Sequence, residues 1–374
     1  MRIREIDGLR AIAALAVVAH HYFSWIKYSG SQYCWLGVDL FFVISGFLIT
    51  SILLDLKTTP SYFRTFYARR AFRIFPPYFF VLGIYLICAA VLHRVGTIGL
   101  WLKYAFYYAG LLFSNNTQYG LSLSVFFGLN VLWSLSVEEL FYIVWAPAVR
   151  FLRHRRFGFL LVGIILVAPV LRLLLHSHSP LEVFTFYCRM DGLAFGAVVA
   201  AMVRAIRHES PQLLLWSRAL DRMCVITGVL FVAFFVAVGA DYTKLRVTVL
   251  GITIADLFFA SLVYFIVRHS GESHLLLRVL RLKPLGSIGM ISYSLYLVHY
   301  PLLIVSQNIC IRFHLRGKVN AFTIDGVGLA LSFATAFAMW YGFEAYSLKL
   351  KDKLFPSPLE VQTRRDSLQP CQNR

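Results

Sequence analysis

The chain has 374 residues, of which 59% are hydrophobic and only 14% are charged. So few charged side chains cannot cover a water-soluble globule of this length, which excludes that class of protein. The 36 Lys and Arg against 18 Asp and Glu give a formal charge of +18. These basic residues form short clusters between long apolar runs, a pattern that excludes a nucleic-acid binder and is typical of a multi-pass membrane protein.

Lipid offers the backbone no hydrogen-bond partner, so an apolar run of about 20 residues predicts a membrane-spanning helix. We place ten such runs along the chain, at residues 9–27, 35–55, 76–93, 130–149, 157–175, 183–203, 222–240, 247–267, 285–306 and 321–343. The predicted fold is all-α, a polytopic transmembrane helix bundle of about ten spans. We treat the first run as a mature helix because Glu5, Asp7 and the pair His20-His21 are poor signal-peptide chemistry.

Residues 99–113 are also apolar, but the segment is short, contains Lys103 and runs into the polar stretch 114–117. An interfacial or re-entrant placement is favoured, because four basic clusters then share one side of the membrane with both termini. These clusters lie at residues 64–73, 150–156, 204–222 and 268–283. We therefore predict cytoplasmic N- and C-termini. The loop that violates the rule contains Arg312, Arg316 and Lys318.

The sequence predicts one transmembrane domain, residues 1–346, followed by a cytoplasmic, disordered tail, residues 347–374. The end of the tail is polar and contains several prolines, a composition that opposes a packed core. The six cysteines form no C-x-x-C pair, so we expect neither a zinc site nor a disulfide framework, and no metal ion.

The first span carries two ionisable residues on one face, Arg10 and His21. They are 11 residues apart, which is three helical turns with about 20° left over and about 16 Å along the axis. We expect the guanidinium at the cytoplasmic rim and the imidazole near the midplane, a stripe that suits a ligand with an anionic end and a reactive far end. His20 points about 80° away. The alternatives are a positive-inside anchor for Arg10 and a hydrogen-bonded interior residue for His21.

The second and third spans add a carboxylate and a group of arginines. Asp39 lies near the outer end of the second span, and Ser45 with the glycine after it permits close approach of a ligand or of a neighbouring helix. The basic group Arg69, Arg70 and Arg73 has i, i+3 and i, i+4 spacing, so three guanidiniums can converge on one anion. Topology alone would also place basic residues there.

The fourth span buries two adjacent carboxylates, Glu138 and Glu139. Adjacent residues do not share a helix face, so we expect at most one of them to face the same cavity as His21. The alternative for Glu138 is a structural carboxylate paired with an arginine elsewhere in the bundle.

Two later spans contain further ionisable residues. Arg189 and Asp191 form either an internal ion pair or a sugar-binding pair, and the sequence does not separate the two. His299 precedes Pro301, which can open the local helix hydrogen bonding, and we expect the imidazole near the outer mouth of the bundle. A hydrogen-bonded interfacial histidine is the other interpretation.

In their order and spacing these stretches resemble the acyltransferase 3 family of integral-membrane acyltransferases, which modify O-antigens, exopolysaccharides, Nod factors and macrolides. The R-x10-H motif of the family falls on Arg10 and His21. The other motifs, GVDLFFVISGF, RRxxRIxP, WSLSVEExFY and SYSLYLxHxP, fall on residues 37–47, 69–76, 133–142 and 292–301. The resemblance runs from Ile6 to Glu344, nearly the whole chain.

The resemblance implies transfer of an acyl group, usually acetyl from acetyl-CoA, to a hydroxyl of a lipid-linked or exported glycan at the inner (plasma) membrane. Two positions depart from the family pattern. Leu140 stands where Gln is usual, and Ala345-Tyr346 replaces the usual Lys-Pro. Neither departure touches the pair Arg10 and His21, so both bear on acceptor preference or packing more than on the type of reaction.

Acyl transfer from a thioester to a hydroxyl needs a base or a nucleophile, and histidine can be either near neutral pH. We hypothesise that His21 has this role, assisted by Arg10, and that Glu138 orients or charge-balances the imidazole. The residues expected to bind acyl-CoA are Arg10, Ser45, Arg69, Arg70 and Arg73. The residues expected to bind the acceptor at the outer face are Asp39, Arg189, Asp191 and His299.

Two other classes of protein are considered. Intramembrane His and Glu residues also serve as proton relays in secondary transporters, but we find no inverted repeat that would favour this class. A non-catalytic membrane scaffold would tolerate apolar replacements of the buried ionisable residues. The expected partners are acyl-CoA, a glycan or lipid-linked saccharide acceptor and membrane lipid, with no nucleic acid.

Overall fold

The computed structural model describes residues 3–23, 25–26, 30–91, 93, 98–107, 128–177, 180–207, 211–312 and 318–356. Over these residues the chain forms helices and helical turns, with no β-strand. The all-α prediction is therefore confirmed. The polar stretch 114–117 and Arg316 lie outside the described residues.

The α-helices, numbered in chain order, are α1 (Arg4–Phe23), α2 (Gly37–Leu56), α3 (Tyr62–Val91), α4 (Ile98–Ala105), α5 (Trp133–Phe151), α6 (His154–Leu175), α7 (Phe186–Arg207), α8 (Pro211–Val238), α9 (Ile252–Arg268), α10 (Leu275–Leu280), α11 (Lys283–Arg312), α12 (Lys318–Met339) and α13 (Ala345–Leu354). Short 3-10 turns precede α2, α5 and α7, at Ser31–Leu36, Leu129–Leu132 and Pro180–Phe184. Single π-helical turns lead into α9 and α13, at Val247–Gly251 and Trp340–Glu344.

Nine helical segments within the described ranges are long and apolar enough to cross a membrane, and each overlaps a predicted span. The remaining prediction, residues 9–27, corresponds to α1, whose charged and histidine side chains lower its hydropathy. Its 20 residues nevertheless give a length of about 30 Å, which matches a bilayer core. Helix α1 packs inside the bundle against α11 and α2. The protein is thus a multi-pass membrane protein.

The outer helices turn apolar side chains outward. Phe159 on α6 is 76% exposed, and Val236 on α8 is 79% exposed. A water-soluble protein would not present so many large apolar groups on its outer helices, whereas lipid is a favourable solvent for them.

The centre of the bundle depends on close contact between α2 and α7. A Cβ atom added at Gly46 would lie 2.0 Å from the carbonyl oxygen of Leu193, and one added at Gly196 would lie 2.0 Å from that of Val43. The two backbones therefore touch, as small residues permit in membrane helices. The sequence left open whether the Ser45-Gly46 pair permits approach of a ligand or of a neighbouring helix. Gly46 permits the approach of a helix, α7.

Two expectations about the chain outside the spans can be compared with the structure. Within residues 99–113, helix α4 has eight residues, about 12 Å, which is too short to cross a bilayer; residues 108–113 lie outside the described ranges. The prediction of a disordered tail from residue 347 is wrong for residues 347–354, because they belong to helix α13. This helix packs on α3, where Ser347 Oγ donates a hydrogen bond to the carbonyl oxygen of Phe72 at 2.6 Å.

Candidate active site

A cavity that opens to solvent lies where α1, α2, α3, α5 and α11 meet, with about 790 Å³ of empty space in and at the mouth of the cavity. These are the helices that carry the sequence motifs, so the fold brings distant motifs to one place. The wall combines apolar side chains with a set of charged and hydroxyl-bearing ones, namely Arg10, Ser45, Arg70, Arg73, Ser134, Glu138, Glu139, Tyr142, Ser292, Tyr293 and Tyr296.

Three guanidiniums line this cavity and have no ion-pair partner among the described residues. Arg10 comes from α1, and Arg70 and Arg73 come from consecutive turns of α3. Within the described residues no carboxylate oxygen lies within 4.0 Å of any of the three. They are close enough to repel one another, and Glu138 attracts Arg10 only from a longer distance. A cluster of unpaired cations in a cavity is a site for a multiply charged anion.

Glu138 is held by hydrogen bonds from two other helical positions. Ser45 Oγ on α2 donates to Glu138 Oε1 at 3.0 Å, and the Tyr142 hydroxyl one turn further along α5 donates to Oε2 at 2.7 Å. The Arg70 guanidinium lies 5.6 Å from the centre of the Tyr142 ring, a cation–π distance. Ser45, expected to bind the acyl donor, therefore fixes a carboxylate at the wall of the cavity.

Both adjacent glutamates reach the same cavity. Glu138 and Glu139 both line the wall, although neighbouring residues differ by about 100° around a helix. The expectation concerned a cavity shared with His21, and His21 does not line this one, so that expectation stays a prediction. The cavity extends across the face of α5, from Ser45 on α2 to Arg70 on α3. Two side chains that leave α5 in different directions can therefore both reach it.

A second cavity, of about 1200 Å³, adjoins the first. The two share Arg10, Arg73, Tyr293 and Leu48 in their walls, so they meet at the arginines. The second cavity is bounded by the first turns of α1 and by α13. Our topology prediction places this end of the bundle at the cytoplasmic face. The pair of cavities then leads from that face to Glu138.

Arg69 does not join the other arginines. Its guanidinium donates to Asp352 Oδ1 on α13 at 2.9 Å and also to the carbonyl oxygen of Phe355. The expectation of three converging guanidiniums on α3 is therefore wrong for Arg69, which lies about 100° around the helix from Arg70. In its place Arg10 on α1 completes the trio.

His21 lies at the far end of α1 from the arginines. The helix ends at Phe23, four residues before the predicted end of the span, so His21 is in the last turn and not at the middle of the helix. The expected depth of the imidazole near the membrane midplane stays a prediction. The His21 side chain lines neither of the two cavities.

The partner of His21 is another histidine, not Glu138. Nδ1 of His21 lies 2.9 Å from the carbonyl oxygen of Val17 and 3.3 Å from Nε2 of His299. The hydrogen bonds of Glu138 go to Ser45 and Tyr142, so the expected contact between Glu138 and the imidazole is not formed. The side-chain neighbour of His21 is therefore His299 and not the expected Glu138.

His299 is deeply buried and lies beside His21, and its expected place near the outer mouth of the bundle stays a prediction. Its side chain has 0% exposure, and Nδ1 lies 2.8 Å from the carbonyl oxygen of Tyr296. Tyr296 in turn lines the first cavity, with its ring centre 5.6 Å from that of His299. A chain of contacts thus connects the cavity to His21 through Tyr296 and His299.

Three of the four residues expected to bind the acceptor, Asp39, Arg189 and Asp191, form buried ion pairs. Arg189 on α7 donates to Asp39 on α2 at 2.6 Å, with both side chains at most 3% exposed. Asp191 pairs with Arg172 on α6 through two hydrogen bonds of 3.0 and 2.7 Å, with both side chains at 0% exposure. Of the two interpretations of Arg189 and Asp191, internal pairing is the arrangement in the structure, although neither pairs with the other.

Sequence reasoning missed two kinds of site residue. Arg172 interrupts the apolar run of α6, and an isolated arginine in a span was a usable signal for a buried partner. Tyr142, Tyr293 and Tyr296 line the cavity, but a tyrosine in a chain with 20 of them carries no positional signal.

Comparisons with known proteins gave matches over most of the chain. A family model described as an acyltransferase domain matches residues 3–341. The peptidoglycan O-acetyltransferase OatA of Listeria monocytogenes serovar 1/2a is 30% identical over 320 residues, which cover 80% of this chain and 49% of that protein. The O-acetyltransferase OatA of Staphylococcus aureus strain NCTC 8325 / PS 47 is 28% identical over 340 residues, which cover 85% of this chain and 52% of that protein.

The chain therefore spans about half the length of these curated relatives. No solved structure matches it. The family match covers nearly all of the helices and every motif that lines the first cavity, called the arginine cavity below because Arg10, Arg70 and Arg73 line it. The chain therefore belongs to the acyltransferase 3 family.

Proposed function

We propose that this protein is a membrane-embedded O-acyltransferase that moves an acyl group, acetyl in the simplest case, from cytoplasmic acyl-CoA to a hydroxyl of a glycan or lipid-linked saccharide. The observation that carries the proposal is the set of unpaired guanidiniums of Arg10, Arg70 and Arg73 in one intramembrane cavity. The family match supplies the class of reaction.

The arginine cavity is the proposed binding site of the acyl donor. CoA carries several phosphate charges on one end and the thioester on the other, so it needs a cationic entrance and an interior that accepts an apolar arm. The cavity that adjoins the first turns of α1 supplies the entrance, and Arg10 and Arg73 stand where the two cavities meet. The wall of the first cavity also contains apolar side chains that could contact the arm, among them Phe41, Phe42 and Ile44 of α2.

Glu138 and Ser45 have a supporting role in this proposal. The carboxylate offsets part of the positive charge of Arg10 and Arg70, which it attracts. Because Ser45 and Tyr142 both donate to it, the carboxylate stays in place whether or not the donor is bound. Arg69 contributes indirectly, since it fastens α13 to α3 at the edge of the second cavity.

His21 is the proposed catalytic base or nucleophile. Its position in the last turn of α1 places it toward the predicted outer face, where an exported glycan would arrive. The contacts through Tyr296 and His299 separate it from the arginine cavity. The Tyr296 side chain would therefore move when the donor occupies the cavity, so that the thioester can reach the imidazole.

The acceptor is a glycan in this proposal, and the names of the relatives include peptidoglycan. The buried pairs Asp39 with Arg189 and Asp191 with Arg172 would hold α2, α6 and α7 together beneath the acceptor, rather than contact a sugar directly. We place the protein in the inner (plasma) membrane with both termini in the cytoplasm, the orientation that the basic clusters favour.

The test is transfer of label in membranes that contain or lack the chain. With radiolabelled acetyl-CoA on the cytoplasmic side, we expect chain-dependent label in glycan that mild alkali releases, as it releases O-acyl esters. Mass spectrometry of the cell-surface glycans would then identify the modified hydroxyl. Correctly inserted protein that transfers no label would contradict the proposal, and proteoliposomes that accumulate a solute without any acyl donor would support a transporter instead.

A further inference from the structure

Two histidines from different helices share a hydrogen bond in this fold. His21 Nδ1 on α1 lies 3.3 Å from His299 Nε2 on α11, and the ring centres are 5.0 Å apart. Each ring also contacts a backbone carbonyl: His21 Nδ1 lies 2.9 Å from the oxygen of Val17, and His299 Nδ1 lies 2.8 Å from the oxygen of Tyr296. These three contacts together determine where the protons lie.

A carbonyl oxygen only accepts, so the ring nitrogen that contacts it must carry the proton. His299 therefore has its proton on Nδ1 and, in the neutral ring, a lone pair on Nε2. His21 likewise has its proton on Nδ1, where the Val17 oxygen and the lone pair of His299 share it. The other tautomer of either neutral ring would set lone pairs against each other.

This assignment leaves the second nitrogen of His21 with a lone pair. Nε2 of His21 has no hydrogen-bond partner among the described residues. The His21 side chain is half-buried and not fully enclosed. A reachable ring nitrogen with a lone pair is what a base or a nucleophile requires.

We propose that His299 is a positioning residue for His21, whose Nε2 accepts the Nδ1 proton of His21 and so keeps the other nitrogen of His21 free to react. The proposal rests on the proposed function, in which His21 acts on the acceptor hydroxyl. As the hydroxyl oxygen bonds to the acyl carbon, its proton moves to His21 Nε2. The carbon–sulfur bond breaks, CoA leaves as the thiolate, and the thiolate takes the proton from Nε2.

While His21 carries both protons, it donates through Nδ1 to two fixed acceptors, and a charged donor makes the stronger hydrogen bond. An aspartate has this place in the Ser-His-Asp arrangement. Here a neutral imidazole has it.

The fold holds His299 rigidly in this place. Its side chain has 0% exposure, and its own backbone oxygen accepts a hydrogen bond from the Tyr22 hydroxyl at 2.9 Å. Tyr22 follows His21 on α1, and its hydroxyl also contacts Ser332 Oγ of α12 at 2.9 Å. Neighbouring residues of α1 are thus tied to the same turn of α11, one through a ring and one through the backbone.

Two substitutions at His299 separate positioning from simple packing. His299→Leu removes the accepting lone pair, whereas His299→Gln keeps one acceptor and one donor. For transfer from radiolabelled acetyl-CoA we expect His299→Leu to lower kcat about 10- to 100-fold, with the KM for acetyl-CoA unchanged because the arginine cavity is intact. His299→Gln should restore most of kcat. Wild-type kcat in His299→Leu, or equal losses in both variants while acetyl-CoA still binds, would overturn the proposal.

A measurement on the unaltered protein does not depend on how the variants fold. Nitrogen-15 NMR of the histidine-labelled protein should show a protonated Nδ1 and an unprotonated Nε2 on His21; the reverse tautomer would refute the positioning role. His21→Ala tests the catalytic role of His21 separately from the positioning role of His299. Full transfer by His21→Ala would refute the proposed catalytic role itself, whereas inactive His21→Ala beside fully active His299→Leu would refute only the positioning.

Discussion

The guanidinium of Arg69 lies 2.9 Å from the carboxylate of Asp352 and so joins the first half of α3 to the last helix of the bundle. These side chains are 21% and 47% exposed, so the pair contributes little stability on its own. Arg69 is adjacent in sequence to Arg70, which faces the cavity and has no carboxylate partner within 4.0 Å in the described part of the chain. Two neighbouring arginines therefore have different surroundings.

The first prediction concerns Arg69. Because its charge is already matched by Asp352, we expect Arg69→Ala to change the KM for acyl-CoA by less than about twofold, in line with the small free energy of exposed ion pairs. Steady-state transfer in membranes measures this. A rise in KM as large as that for Arg70→Ala would show that Arg69 binds the donor after all.

The second prediction concerns the arginines that face the cavity. Arg70→Ala and Arg73→Ala each remove charge-assisted hydrogen bonds to the donor, which we expect to raise its KM about 10- to 100-fold. Arg156→Ala at the exposed start of α6 removes the same charge away from the cavity and is the matched control. A donor KM that is unchanged in both cavity variants would move the CoA site elsewhere.

The positions of the spans could be predicted from the sequence, because the length and hydropathy of a segment determine whether it can cross the membrane. Apolar runs gave the positions of the spans, because a lipid-exposed backbone must close its hydrogen bonds within a helix. Helix α3 began earlier than predicted, at Tyr62 and not at residue 76, since its first half is basic and the prediction counted only apolar residues. For the same reason helix α13, with its alternating lysines, went unpredicted.

The site was predictable only within single helices. The spacing of Arg70 and Arg73 indicated a common direction, and the structure shows both in the cavity wall. Partners on other helices could not be read from spacing, because they lie far apart in sequence: 93 residues separate Ser45 from Glu138, and 278 separate His21 from His299. Such pairs depend on how the helices pack, which hydropathy does not specify.

The third prediction concerns the contact between α2 and α7. Gly46→Ala would place a methyl group 2.0 Å from the Leu193 carbonyl oxygen, so the helices must separate, at a cost of about 1 to 3 kcal/mol of unfolding free energy. Gly83→Ala on α3 meets no atom within 4 Å and should leave stability unchanged or slightly higher. Thermal unfolding in detergent compares the two, and equal stabilities would contradict the packing described for α2 and α7.

The fourth prediction separates structural pairing from sugar binding at Asp191. Asp191→Asn leaves the Arg172 charge buried without its partner, which we expect to cost about 3 to 5 kcal/mol of stability. Replacing both residues, as Arg172→Met with Asp191→Leu, should recover most of that loss because no buried charge remains.

Thermal unfolding and the KM for the glycan acceptor are measured together for these two forms. A double variant that regains both stability and acceptor KM supports a purely structural pair. One that is stable but binds the acceptor poorly would show that Asp191 contacts the sugar.

The most direct test of the catalytic role of His21 is a single-turnover measurement on the His21→Ala protein, purified in detergent and preloaded with radiolabelled acetyl-CoA. Because His21 lies outside the arginine cavity, we predict donor binding equal to that of the unaltered protein but no transfer of label to the glycan. Transfer at the unaltered rate would contradict the assignment of the chemistry to His21.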